Sequence, residues 1–350
     1  MQRRGMSLLG VLAGVVVIGI AGALIMSYAR QSQTPPVVQQ PKEVRWLIAH
    51  KPSEVFLRAQ QVFAETLARE TSGSLILRVV SPQDLGLIGD DVPQDKAMDL
   101  LRNGSVEVST LYTVALGYDR PAFWALNVPF LFDTYEQVEN AFESDIPTKM
   151  FTTLDDSPVR ALALTLSGGF RVIATKNTSI ATTRDLAGKR IITSGGPMAE
   201  AALKALGATP ISMATTTGAV TDLSGADGVE TTYSRFASLG DSVKSLKVIN
   251  DTNHSLFATA LVVGSDFFST LTPLEQEALK KAGAEAARVE REDSITLAST
   301  TRANLQTQGM TIVEVPQKVR EAMRAMTASV EADFASTTDT AIVQGLRSAR

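Results

Sequence analysis

The chain has 350 residues, 33 Lys+Arg against 37 Asp+Glu, a formal net charge of -4, 44% hydrophobic residues, two His and no Cys. That length can bury two cores, while the absence of cysteine excludes disulfides, thiolate metal sites, cysteine nucleophiles and the lipid-bearing cysteine of a lipoprotein. His50 and His254 alone make no histidine-rich metal site, and no basic run exceeds short pairs such as Lys280-Lys281, so nothing offers an electrostatic footprint for nucleic acid.

Arg3 and Arg4 precede an uncharged, mostly apolar stretch over residues 5–29. Its 19-residue core from Leu8 to Met26 is long enough, at ~1.5 Å per residue, to span a bilayer. Ser27-Tyr28-Ala29 also places small residues where a signal peptidase reads. The segment therefore reads as an export signal, or as a membrane anchor where it is not cleaved. Residues 30–42 carry Pro35, Pro36 and Pro41 without apolar periodicity, which predicts an extended linker.

The body then alternates short apolar runs with helical periodicity. Residues 44–49 and 75–80 read as strands, with a helix between them on Phe56, Ala59, Phe63 and Leu67, capped by Ser53 and followed by Gly73. A helix over Ala97, Leu100 and Leu101 stops near Gly104, a strand follows at 106–111, and Thr134-x-x-Gln137 opens another helix as a capping box. Strands at 161–166, 172–174, 190–193 and 211–213, with a helix through Ala201, Leu203 and Leu206 closed by Gly207, predict a second α/β unit. The alternation predicts mainly parallel sheets. Thr272-Pro273-x-Glu275 is a helix start, and residues 284–308 contain neither Gly nor Pro, which predicts a long helix.

Catalytic signatures are missing. There is no phosphate-binding glycine loop, His-Glu-x-x-His helix or Gly-x-Ser-x-Gly elbow. Residues 222–228 only half resemble a calcium loop, with no carboxylate or carboxamide at the third and fifth positions, and read as a turn; His50 and His254 read as hydrogen-bonded structural residues, and Asp90-Asp91 reads as a solvated loop. Gly195-Gly196 lies between a strand and a helix, either as a tight turn or with amides facing an anion. Arg171, after Gly168-Gly169-Phe170, has the planar fork that grips a carboxylate. No metal or cofactor is expected; the reading is an exported binding protein whose ligand sits between two domains.

Ordered segments carry a resemblance. Thr71-Ser72-Gly73, Asp84-Leu85-Gly86, Asn103-Gly104-Ser105-Val106-Glu107, Val128-Pro129-Phe130-Leu131-Phe132, Gly169-Phe170-Arg171, Thr183 to Lys189, Leu206 to Pro210, Asp227-Gly228-Val229-Glu230 and Thr252-Asn253-His254 follow one another in register. Together they are similar to the DctP-like solute-binding receptors of tripartite ATP-independent periplasmic (TRAP) transporters. The resemblance implies an α/β, two-domain periplasmic binding protein fold with crossing strands, a hinge and a long C-terminal helix. It places domain I at 43–168 and 256–295, domain II at 169–255 and 296–335, and a C-terminal tail at 336–350. It also implies a periplasmic receptor that is not an enzyme. Such a receptor captures a small organic ligand, usually a carboxylate, and delivers it to small and large membrane subunits driven by a sodium gradient.

For the site, the resemblance implies Arg171 as carboxylate anchor. The family's second arginine falls seven residues after Asp185, where this chain has Ile192, so Arg190 is the available helper and a simple four-carbon dicarboxylate becomes doubtful. Glu230 is expected to orient the ligand or brace Arg171, with Tyr112 and Ala49 on the other lobe and Thr215 and Gly195 where relatives touch ligand. The lost arginine leaves an alternative reading, a membrane-tethered relative whose divergent cleft serves sensing or partner binding.

Overall fold

The computed structural model describes residues 40–89, 91–213 and 223–349. The apolar N-terminal stretch, the linker up to residue 39, Asp90, Thr215 to Thr217 and Asp222 lie outside the described residues. Among the described residues no helix is long and apolar enough to cross a membrane.

The first part of the chain runs β1 (Lys42–Leu47), α1 (Leu57–Glu70), β2 (Leu75–Val80), α2 (Gln94–Arg102), β3 (Val108–Tyr112), α3 (Thr113–Asp119), α4 (Tyr135–Phe142), α5 (Ile146–Thr152) and β4 (Val159–Phe170). It continues through β5 (Val172–Thr175), β6 (Arg190–Thr193), α6 (Gly196–Ala205), β7 (Thr209–Ser212), β8 (Gly228–Thr231), α7 (Tyr233–Ser238) and β9 (Val248–Asn250). The return comprises β10 (Leu256–Gly264), α8 (Ser265–Ser269), α9 (Pro273–Thr307), β11 (Thr311–Val313), α10 (Gln317–Met326), α11 (Ala328–Phe334) and α12 (Thr340–Ala349).

Two sheets result, one in the order β2-β1-β3-β10-β4 and one in the order β11-β9-β5-β8-β6-β7. They are mixed rather than mainly parallel. β10 lies antiparallel to both β3 and β4, and β5 antiparallel to both β8 and β9. The cause is the crossing: β4 leads directly into β5 of the other sheet, and the chain returns from β9 into β10, so outgoing and returning strands run in opposite directions.

Local sequence accounts for the elements. In α1, Ala59, Phe63 and Leu67 recur on one face and are fully buried, with the Phe63 ring 5.1 Å from that of Trp46. Ser53 makes no cap; it opens a 3-10 turn over Ser53–Phe56 after the cis Lys51-Pro52 bond. Thr134 caps α4 by accepting from the Gln137 amide at 3.2 Å. At α9 the reciprocal box forms, Glu275 N donating to Thr272 Oγ1 at 3.3 Å and Thr272 N donating to Glu275 Oε2 at 2.9 Å. The cap and the uninterrupted run thus belong to one helix of 35 residues, about 52 Å long at ~1.5 Å per residue. It packs on α1 and β4 in one lobe and on α7 in the other.

Gly168 and Gly169 precede the crossing with φ of +89° and +79°. A Cβ on Gly168 would meet Thr232 Oγ1 at 2.3 Å, and one on Gly169 would meet Tyr135 Oη at 2.3 Å, so only glycine fits. The Val128–Phe132 motif straddles the lobes. Phe130, at φ +54°, joins the second lobe's core with Ile173 and Leu186, whereas Leu131 and Phe132 join the first lobe's core. Residues 340–349, within the expected tail, form α12, whose Ile342, Val343 and Leu346 are buried in that same first core.

Candidate functional site

Arg171 occupies the single position between β4 and β5. Its amide donates to Ser255 O on the returning strand at 2.9 Å, fixing the crossing, and its side chain is 1% exposed. The guanidinium carbon stands 4.3 Å from the centre of the Phe257 ring. One edge is used internally, Nη1 donating to Glu230 Oε2 at 3.4 Å. Nε and Nη2, which form the side-on fork, are buried and have no hydrogen-bond partner among the described residues. Burial draws the Arg171 pKa down, and the Glu230 carboxylate opposes that. A buried guanidinium is costly unless compensated, and a two-pronged donor edge matches the two oxygens of a carboxylate.

Glu230 lies opposite Ile173 in the β5–β8 ladder, two residues along from Arg171. Its buried carboxylate accepts from Thr193 Oγ1 on β6, and its Oε1 is 2.7 Å from His254 Nε2. His254 Nδ1 is 2.8 Å from Thr252 Oγ1. Burial alone would raise the Glu230 pKa, but Arg171, His254 and Thr193 hold it at about 2. Glu230 is therefore an anion that braces Arg171 and is itself fully engaged. Gly195 closes this side: its amide donates to Thr193 Oγ1 at 2.9 Å, and a Cβ there would lie 2.4 Å from Ala199 Cβ and 3.2 Å from Glu230 Oε2.

From the first lobe, the end of β3 brings Tyr112 to the Phe257 ring at 5.0 Å, and His50 to Tyr112 at 5.0 Å. Both are buried. From the second lobe, α7 brings Arg235, whose Nη1 donates to Tyr112 Oη and to Lys51 O, each at 3.1 Å. Arg235 is 4% exposed and its guanidinium carbon is 5.9 Å from the Phe257 ring centre. Two guanidinium groups thus converge on one ring from either lobe boundary.

The structure brings Arg171, Glu230, Tyr112 and Gly195 together. Ala49 is buried in the first lobe's core, its carbonyl accepting from Val92 N at 2.7 Å. Arg190 is not part of the cluster. It is half exposed at the opposite end of β6, its Nε 3.7 Å from Asp227 Oδ2, about 10 Å along the strand from Thr193 at ~3.3 Å per residue. Ile192 belongs to the apolar core of the second lobe with Val172 and Val229. Thr215 lies outside the described residues. His254 is the hydrogen-bonded residue the sequence suggests; His50 is not, since neither ring nitrogen has a hydrogen-bond partner among the described residues. Arg235 went unrecognised because a single cation in a short helix carries no pattern, and only the fold turns it toward Tyr112.

A cavity of about 520 Å³ lined by Phe151, Arg160, Phe268 and Lys280 shares no residue with this cluster. Among the described residues no group of acidic and histidine side chains is arranged to hold a metal ion.

Residues 48–337 match the model of the bacterial extracellular solute-binding proteins, family 7 (DctP). The C4-dicarboxylate-binding protein DctB of Bacillus subtilis (strain 168) is 27% identical over 289 residues, 79% of this chain and 79% of its own. The 2,3-diketo-L-gulonate-binding periplasmic protein YiaO of Escherichia coli K12 is 25% identical over 236 residues, 67% of this chain and 69% of its own. The fold is shared with the sugar acid binding protein of Advenella mimigardefordensis in complex with galactonate, with a TM-score of 0.76, 20% identity, and coverage of 89% of this chain and 98% of that one. It is equally shared with a TRAP periplasmic solute-binding protein of Haemophilus influenzae with bound L-gulonate, with a TM-score of 0.76, 21% identity, and coverage of 88% and 99%. These relatives are binding proteins, not enzymes.

Proposed function

Because the chain belongs to the bacterial extracellular solute-binding proteins of family 7, the DctP family, we propose that it is the extracytoplasmic receptor of a TRAP-type transporter for a small organic acid. The acid's carboxylate sits on Arg171 between the lobes, and the closed receptor presents it to the small and large membrane subunits. The observation that carries this reading is the buried Arg171 fork, Nε and Nη2, which has no hydrogen-bond partner among the described residues. Glu230, held by His254 and Thr193, keeps the guanidinium in place without covering that edge. Ligands named for relatives, such as galactonate, L-gulonate and C4-dicarboxylates, make carboxylates the class to test first.

The test is calorimetric titration of aldonates, uronates and four-carbon dicarboxylates into the protein and into Arg171→Ala. A charge-assisted pair is worth about 1.5–3 kcal/mol, so the substitution should weaken the bound acid by about 10- to 100-fold. An acid bound equally by both proteins would remove Arg171 as the anchor. No acid bound by the unaltered protein would remove the receptor reading.

A further inference from the structure

The helix α6 has two apolar faces, and they belong to different lobes. It joins β6 to β7 of the second lobe, and its Leu203 enters that lobe's core beside Ile173 and Leu186. Met198, Ala201 and Ala205 recur three and four residues apart on another face and pack with the core of the first lobe instead. Met198 is 1% exposed there. The stretch Pro121–Asn127 and α11 receive this face, and Val330 of α11 is buried in the same core. A row of rings backs the seat: Trp124 lies 5.5 Å from Tyr118 and 6.2 Å from Phe334, and its Nε1 donates to Val114 O at 3.2 Å. The first turn of α6 fits as closely. A Cβ on Gly196, at φ +71°, would stand 2.6 Å from Val114 Cγ1 on α3, so a side chain there would push the two helices apart.

β3 ends at Tyr112 and β6 at Thr193, both beside the Arg171 cluster. The helices that follow, α3 and α6, therefore start at the cleft from opposite lobes, and Gly196 is where they meet. Because the inner face of α6 is fixed in the second lobe, the helix must travel with that lobe when the two separate. Opening then strips the outer face of its cover and exposes Met198 to water, which opposes it. We propose that α6 is a latch: by burying Met198, Ala201 and Ala205 against the first lobe, it holds the lobes together without help from a bound acid. The acid does not draw the lobes shut; it enters during brief openings of a cleft that recloses by itself. The latch is rooted in the site, since Gly195 at the head of α6 donates to Thr193 Oγ1, and that hydroxyl donates to Glu230, the partner of Arg171. This goes beyond the receptor reading and concerns the protein alone.

Distances between two spin labels test the latch without a ligand. The chain has no cysteine, so Ile88→Cys in the first lobe and Lys204→Cys in the second, both exposed, carry the only labels. Unfolding in urea and refolding before labelling removes any acid carried over from the cell. The labelled protein should show one dominant distance. Met198→Ser should shift the balance about 10- to 100-fold toward a second distance, and adding Ala201→Gln, which wedges a longer side chain into the seat, should shift it further. Leu203→Ala, which weakens α6 on its inner face, should lower the melting temperature without adding the second distance; circular dichroism checks that each variant is folded. Two distances in comparable amounts before any further substitution would overturn the proposal. So would a Met198→Ser/Ala201→Gln protein with an unchanged distance distribution, or a Leu203→Ala protein that opens as far as Met198→Ser. The titrations of Arg171→Ala are separate: if they fail while the labels behave as expected, the receptor reading falls and the latch stands, and the converse leaves the receptor without its latch.

Discussion

His50 makes the stability of the ligand-free protein depend on pH in a direction that can be worked out beforehand. In the unfolded chain its imidazole titrates at the ordinary value of 6.5, whereas burial and then Arg235 lower it to about 3 in the folded protein. Between these values the unfolded state binds the proton and the folded state does not, so stability falls as pH falls through 6.5 and levels off only near 3. At pH 5 the unfolded imidazole is protonated by 1.5 units and the folded one is not, which amounts to about 2 kcal/mol at ~1.4 kcal/mol per unit. Above pH 6.5 the contribution is complete and flat. Glu230 does not confuse this window. Its folded value of about 2 lies below its ordinary 4.5, so its stabilisation is present above 4.5 and lost only as pH falls toward 2. Urea denaturation of the protein and of His50→Gln at pH 8 and pH 5 measures the term as a difference of differences, cancelling every other titrating group. The unaltered protein should lose about 2 kcal/mol more than the variant. Equal losses would show that His50 is protonated in the folded state and refute its placement as a buried, unpaired imidazole.

Two further perturbations test the crossing between the lobes. Gly169→Ala adds a Cβ at φ +79° and 2.3 Å from Tyr135 Oη, so it should destabilise by roughly 2 kcal/mol or more; an unchanged melting temperature would mean the crossing strand relaxes freely. Phe130→Ala empties a fully buried position in the second lobe's core and should cost about 3–5 kcal/mol. A much smaller loss in urea denaturation would mean that the ring is not packed there.

Much of the chain's organisation was legible. Residues 75–80 and 190–193 coincide with β2 and β6, because short β-branched runs bounded by turn residues have few other outcomes. The α9 start was readable from three residues whose chemistry satisfies the helix's free amides. The strand β10 was not, since all nine of its residues are buried and the run has no alternation by which to distinguish it from a helix. The mixed sheet order was also hidden: strand direction depends on which strand comes back beside which, and that is decided by the return from β9 into β10. At the site, Arg171 could be found from its glycine-flanked setting, and Glu230 from its motif. His50 and Arg235 could not, because each is an isolated residue whose significance lies in what stands opposite it. Arg190 shows the converse, a plausible cation that β6 carries to the far end of the strand.

The motif around Phe130 places one ring in the second lobe's core and the next two side chains in the first. Its amide donates to His254 O at 2.7 Å, and its carbonyl accepts from Arg324 Nη1 at 2.8 Å. A segment fastened to both halves behaves as a rivet: it cannot follow either without straining the other, so any rotation must turn on an axis through it. Displacement then grows with distance from the rivet, small at the hinge and large at the outer rims. The rivet's own partner, His254, is hydrogen-bonded to Glu230, which is paired with Arg171. The fulcrum and the buried Arg171–Glu230 pair are thus one connected piece, and a change in charge at that pair is felt at the fulcrum itself.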